Sequence, residues 1–202
     1  LKLGAYEFIT KPFATEQLLN FINRAPENIK LKRENLKLEN KMFHSFELIG
    51  ESNQILKIKK LISKLSSTDS RVLISGPTGS GKELVARKIH KNSNRSKNPF
   101  IVMNGALLQS DNYENELFGT ENKDGSVSYG FLEKASNGTL LIDEVSEIPL
   151  DTQAKILRVL IDQKFKRING TKDINVNIRI ISSTSKDLKS EVTIGNFRED
   201  LY

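Results

Sequence analysis

The sequence predicts an α/β fold, a parallel sheet flanked by helices, and three observations predict it. Short apolar runs of the kind that buried parallel strands require alternate with stretches of helical period. A glycine-rich turn lies between the first of those runs and a helix. The 202 residues, 37% hydrophobic and 28% charged, suffice for one complete core but not for two full domains.

In chain order, residues 1–25 read as a strand, a sharp turn and a helix. Tyr6 to Ile9 run into Thr10-Lys11-Pro12-Phe13, and Leu18, Leu19 and Ile22 recur at helical spacing after Thr15 as a cap. That is too little to fold alone. Over 26–45 the composition turns to Lys, Glu and Asn. Ile29, Leu36 and Phe43 are seven apart, as are Leu31 and Leu38, a spacing that suits a linker helix, either paired with a copy of itself or solvated.

The main domain is expected over 46–202. Ile55, Ile58, Ile62 and Leu65 mark a helix face, and Arg71 to Ser75 is an apolar strand. After the glycine-rich turn, Leu84, Val85 and Ile89 mark a second helix. Further strands are expected at Phe100 to Met103, Thr139 to Ile142 and Ile178 to Ser183. A helix through Ala154, Leu157, Leu160 and Ile161 lies between the last two. The glycine and serine content of 120–130 suggests a mobile loop.

Composition excludes several chemistries. With no cysteine, and with His44 and His90 the only histidines, disulfides, thiolate zinc sites and histidine-rich metal sites are ruled out. No apolar run approaches the roughly 20 residues that cross a bilayer, and the N-terminus lacks the order of a signal peptide, so a soluble, cytoplasmic protein without membrane contact is expected. The net charge of +6 is spread among Lys mixed with Asp and Glu, which fits a Lys-rich surface better than a nucleic-acid face. A first residue that is Leu1, and an element that breaks off at Tyr202, read as an excerpt of a longer chain.

The sharpest chemical signal is Gly76-Pro77-Thr78-Gly79-Ser80-Gly81-Lys82-Glu83, between a strand and a helix. Glycines let successive amides curl around phosphate oxygens, the helix N-terminus adds its positive dipole end, and Lys82 supplies a point charge to the β and γ phosphates. This predicts a cradle for a nucleoside triphosphate. The general pattern wants a hydroxyl after the lysine to hold magnesium; Glu83 stands there instead. Some sixty residues on, the strand Thr139 to Ile142 ends in Asp143-Glu144. A carboxylate there can hold Mg2+, the role expected of Asp143, and the next, Glu144, can orient and polarise the attacking water. Thr184 and Ser185, at the end of the strand from Asn177, could present hydroxyls to the water or the γ-phosphate. Arg158, Arg167 and Arg198 are candidates to neutralise charge from a neighbouring subunit, against the alternative of surface ion pairs.

On these residues the chain resembles the bacterial enhancer-binding proteins, AAA+ ATPases that drive sigma-54 RNA polymerase. That family has Glu at the position of Glu83. Also similar are Leu48-Ile49-Gly50-Glu51-Ser52, Asn104-Gly105-Ala106, Glu116-Leu117-Phe118-Gly119, Gly138 to Glu144, and Phe197-Arg198-Glu199-Asp200-Leu201-Tyr202. The resemblance implies a P-loop AAA+ core over 46–202 that binds ATP through Gly76 to Glu83, with Asp143 and Glu144 as the Walker B pair. It also implies Thr184 and Ser185 at sensor I, and Arg198 as a trans-acting finger. Residues 4–13 look like the end of a response-regulator receiver, where Lys11 would contact the phosphoryl group.

Where sigma-54 activators carry Gly-Ala-Phe-Thr-Gly-Ala, this chain has Thr120 to Gly130 with no Phe-Thr pair. That departure is similar to the NtrX branch of nitrogen-related response regulators. The implied function is an ATP-binding and ATP-hydrolysing module of a two-component transcriptional regulator. It would work as a homo-oligomer, from dimer to hexameric ring, under a sensor histidine kinase acting on the receiver. DNA contact would come only through a region outside this chain, and contact with sigma-54 polymerase is left open. The alternative is a nucleotide-binding regulatory module with negligible turnover.

Overall fold

A computed structural model describes residues 47–108, 112–123 and 125–202. The expected receiver end over 1–25, with Lys11, and the linker helix over 26–45 lie outside the described residues. The described elements are helix α1 (Asn53–Ser66), β1 (Val72–Ser75), α2 (Lys82–Lys91), β2 (Phe100–Asn104), α3 (Tyr113–Phe118), β3 (Gly119–Glu121), β4 (Val127–Tyr129) and α4 (Phe131–Lys134). They continue with β5 (Thr139–Asp143), a 3-10 turn (Val145–Glu147), α5 (Leu150–Asp162), β6 (Lys164–Lys166), β7 (Asp173–Asn175), β8 (Arg179–Thr184) and α6 (Leu188–Thr193).

The four longer strands form one parallel sheet in the order β1-β8-β5-β2. All four were expected from their apolar runs; the central β5 and β8 are buried along almost their whole length, while β1 at the edge leaves Leu73 43% exposed. Alternation along β5 divides the core. Leu140 and Ile142 face a larger cluster with Met103, Leu117, Ile156 and Phe165, while Leu141 and Ile181 face Ile62 of α1 and Ala86 and Ile89 of α2. Each such leucine or isoleucine, taken fully out of water, contributes on the order of 1.5–3 kcal/mol.

The helices start where local chemistry starts them. Ser52 caps α1 by accepting the amide of Ile55 at 3.3 Å. Helix α5 follows Pro149 and runs through the expected Ala154, Leu157, Leu160 and Ile161, of which Leu160 faces the core. Thr152, Gln153, Ile156, Val159 and Leu160 are buried, and Ile161 is 68% exposed.

Where composition suggests a mobile loop over 120–130, residues on either side of the turn pair as strands. They form the hairpin β3–β4, with Gly119 paired to Tyr129 and a turn closed by Asn122, which donates its amide to Ser126 O at 2.9 Å. Gly119 and Gly130 serve close packing: a Cβ on Gly130 would sit 2.4 Å from Gly119 N and from Leu117 O. A second hairpin, β6–β7, joins the first through the bridge between Thr120 and Ile168. Arg167 ties the two through the Tyr129 ring and Glu121, and anchors both to the helix α4 by a bidentate pair to Glu133, at 2.7 and 2.6 Å.

Gly138 opens β5 against Pro99, and a Cβ there would lie 2.0 Å from Pro99 O, a backbone atom that cannot swing away. We expect Gly138→Ala to cost about 2–4 kcal/mol of stability. A thermal melt of the variant should show Tm lower by roughly 5–15 °C.

Candidate functional site

Because the strands are parallel, their carboxyl ends emerge along one edge of the sheet. Ser75 is in register with Thr184, and Asn104 with Asp143. The loop from Gly76 leaves β1 at this edge, tied down by its own amide, which donates to Thr184 O at 3.2 Å. Gly79 has φ +79° and Gly81 φ +87°, conformations that a side chain would strain, and a Cβ on Gly79 would meet nothing within 4 Å. The loop is therefore unpacked at Gly79. Ser80 N closes a turn on Pro77 O at 3.1 Å, and Gly81 is the residue from which α2 starts. No backbone acceptor is found among the described residues for the amides of Gly79, Gly81, Lys82 and Glu83.

Lys82 is 8% exposed, and its ammonium lies across the loop. It donates to Gly76 O at 3.0 Å and pairs with Glu144 Oε1 at 3.1 Å. Glu144 follows β5 in the left-handed region, φ 51° and ψ 56°, at the start of the 3-10 turn. Its second oxygen, Oε2, accepts both the amide and the hydroxyl of Ser185, each at 2.8 Å. Burial alone would push the Glu144 carboxyl up; the two Ser185 bonds and the Lys82 ammonium outweigh it and hold it below the usual carboxylate range. With the folded value depressed, these contacts stabilise the protein above the ordinary carboxyl range, and their contribution is lost as pH falls through the folded value.

Asp143 sits beside this pair with both oxygens engaged. Oδ2 accepts Asn104 Nδ2 at 3.1 Å and Oδ1 accepts the Ser183 hydroxyl. A carboxylate has about four lone-pair positions, so each oxygen keeps one. Gly105 packs beneath: its amide donates to Asp143 O at 2.7 Å, and a Cβ there would lie 2.6 Å from Glu144 O. The buried Tyr113 donates its hydroxyl to Gly105 O, and burial pushes its phenol up.

The structure thus brings Gly76 to Lys82, Asp143 and Glu144 together, and turns the side chains of Thr184 and Glu83 to other partners. Thr184 does not face the loop: it is 0% exposed, and its hydroxyl donates to Ser146 Oγ at 3.2 Å while accepting the amide of Lys186. Strand alternation turns it inward, and Ser185, just past the strand, reaches Glu144. The Glu83 side chain pairs with Arg87 at 2.7 Å, one helical turn on; only its backbone borders the loop. Arg158 and Arg167 pair within the chain with Asp162 and Glu133, and Arg198 with Asp200 at 2.7 Å, so the structure brings none of the three to Lys82 or Glu144. Sequence reasoning missed Ser183 and Tyr113. Ser183 carried a signal, a hydroxyl in an apolar strand, and the pairing of Ile142 with Ser182 sets it level with Asp143.

A magnesium ion bound with phosphates keeps several waters and needs only one or two carboxylates. Among the described residues no group of three or more His, Cys, Asp or Glu could hold a metal, but the Asp143 oxygens fit that smaller demand. The loop with free amides and one ammonium fits a polyphosphate. No helix among the described residues is long and apolar enough to cross a membrane.

Comparison with known proteins matches residues 48–202 to the sigma-54 interaction domain. The chain belongs to that family. Sigma-54 interaction domain relatives include the nitrogen assimilation regulatory protein NtrX of Azorhizobium caulinodans, 43% identical over 203 residues, all of this chain and 44% of the relative. A crystal structure of NtrX from Brucella abortus superposes with TM-score 0.84 at 45% identity, covering 99% of this chain and 44% of that one. The same protein in complex with ATP gives TM-score 0.77 over 99% of this chain and 45% of its own. The chain therefore spans less than half the length of the relatives it matches. The parallel-sheet AAA+ core expected from the sequence is the fold of this sigma-54 interaction domain, and its relatives include NtrX and putative NtrX-like response regulators.

Proposed function

We propose that this domain binds ATP with Mg2+ at the loop Gly76 to Glu83 and hydrolyses it, within an NtrX-like response regulator that controls transcription as a homo-oligomer. The observation that carries the reading is the Lys82 Nζ to Glu144 Oε1 contact of 3.1 Å at the mouth of the loop, beside Asp143. The ATP complex of the Brucella relative supports it. In this reading residues 1–25 end a receiver served by a sensor histidine kinase, 26–45 form the linker, and 46–202 the ATPase core. DNA would be contacted only by a region outside these residues.

The chain's own groups divide the work. The amides of Gly79, Gly81 and Lys82 hold the phosphates, and Lys82 turns from Glu144 toward them. Glu144, still held by Ser185, is left to orient water and take its proton. Asp143 would hold Mg2+, whose charge neutralises the phosphate oxygens when bound. Arg198, 41% exposed and joined to Asp200, would act at the next subunit's site in a ring of up to six.

A second reading, nucleotide binding with negligible turnover, is favoured by the β3–β4 hairpin, which lacks a Phe-Thr pair for sigma-54. Phosphate release by the full protein, measured against its concentration, tests the first. We expect release per subunit to rise with concentration and to fall at least about tenfold in Arg198→Ala. Flat, negligible release with nucleotide still bound would favour the second. The same preparation, trapped with a non-hydrolysable ATP analogue and mixed with sigma-54, reads whether the hairpin still engages that partner.

A further inference from the structure

At the opposite edge of the sheet, where the strands begin, three arginines converge. Arg179 opens β8 and is 1% exposed, the largest fully buried side chain among the described residues. Its Nη2 donates to Leu65 O near the end of α1 at 2.8 Å, but Nε and Nη1 have no hydrogen-bond partner. Arg95 forms one wall and is satisfied: it grips Asp69 through Nε and Nη2, at 3.0 and 3.1 Å, and donates to Asn177 O at 3.0 Å. Arg71, on the rim, donates to Leu160 O at 2.6 Å. These three, with Asp69, Asn177 and Gln163, line a cavity of about 440 Å³.

The charges do not balance. Asp69 is the one carboxylate among the lining residues, and Arg95 takes both its oxygens, leaving Arg71 and Arg179 with carbonyl partners alone. A guanidinium offers five N–H donors in a planar fork, and burying any without an acceptor is costly. Burial pushes the Arg179 guanidinium down, the Asp69 charge opposes this, and Arg95 adds to it. A small oxyanion supplies the compensating charge, and an acceptor to Arg71, and paired arginines suit a doubly charged one.

We propose that the cavity between Arg71 and Arg179 is an anion site for a small, doubly charged oxyanion of the phosphate type. It is separate from the loop at Gly76. Strand β8 runs from Arg179 to Thr184, five steps of about 3.3 Å, so ~16 Å of strand lies between the two edges. Arg71 holds the anion from the rim, Arg179 lends its buried charge from below, and Asp69 keeps Arg95 fixed as the wall.

Calorimetric titration of the Lys82→Ala full protein with inorganic phosphate, at constant ionic strength, tests this with the loop's ammonium removed. Saturable binding that sulfate displaces and chloride does not is the expected result, weakened about tenfold by adding Arg71→Gln. Arg179→Gln should abolish it; if that variant does not fold, the rim variant decides. Absence of saturable heat, or an affinity unmoved by Arg71→Gln, would overturn the assignment.

Discussion

Lys82→Ala weakens nucleotide binding by about 2–4 kcal/mol, ~30- to 1000-fold in Kd, when ADP affinity is measured by calorimetry. The size follows from position. The ammonium is 8% exposed, donates to Gly76 O and faces an acidic group 3.1 Å away, so its charge acts where water is largely excluded. Its loss also leaves Glu144 with only Ser185 to compensate a half-buried carboxylate. ADP is the right probe because it cannot be turned over, so the measurement reads binding alone. An affinity unchanged by the substitution would remove Lys82 from the cradle.

Glu144→Gln separates chemistry from binding. The amide keeps an oxygen for the Ser185 donors, now 2.8 Å from Oε2, so the turn after β5 should survive. What it loses is the negative charge facing Lys82 and the capacity to take a proton from water. We expect steady-state phosphate release to fall at least about tenfold, within the range for loss of a general base. ADP affinity should be retained or improved, since no carboxylate then competes with phosphate for the ammonium. Equal turnover in the two proteins would take Glu144 out of the mechanism.

Much of this was legible in the residues because it is local. A buried strand must be apolar at successive positions, so Val72, Ile101, Leu140 to Ile142 and Ile180 declare the sheet. A phosphate loop needs left-handed backbone at fixed steps, so Gly79 and Gly81 declare the turn. The short strands of the two hairpins gave no comparable signal. Three residues make too brief an alternation to detect, and what holds them is contact between segments: Thr120 with Ile168, Arg167 with Glu133 and Tyr129. Gly130, which read as mobility, is there because two backbones nearly touch.

By itself, then, the sequence determined the α/β class, the edge of the sheet where chemistry could occur, and the identity of the loop and acidic pair, since each depends on backbone periodicity and residue type within a few positions. Tertiary structure alone decided that Lys82 meets Glu144 rather than Asp143, that Ser185 and not Thr184 reaches the site, and that Arg179 lies buried with unpartnered nitrogens. Those outcomes turn on which way a side chain points at a strand's end and which distant segment it then meets. Such meetings are fixed by packing between elements tens of residues apart, and no local pattern encodes them.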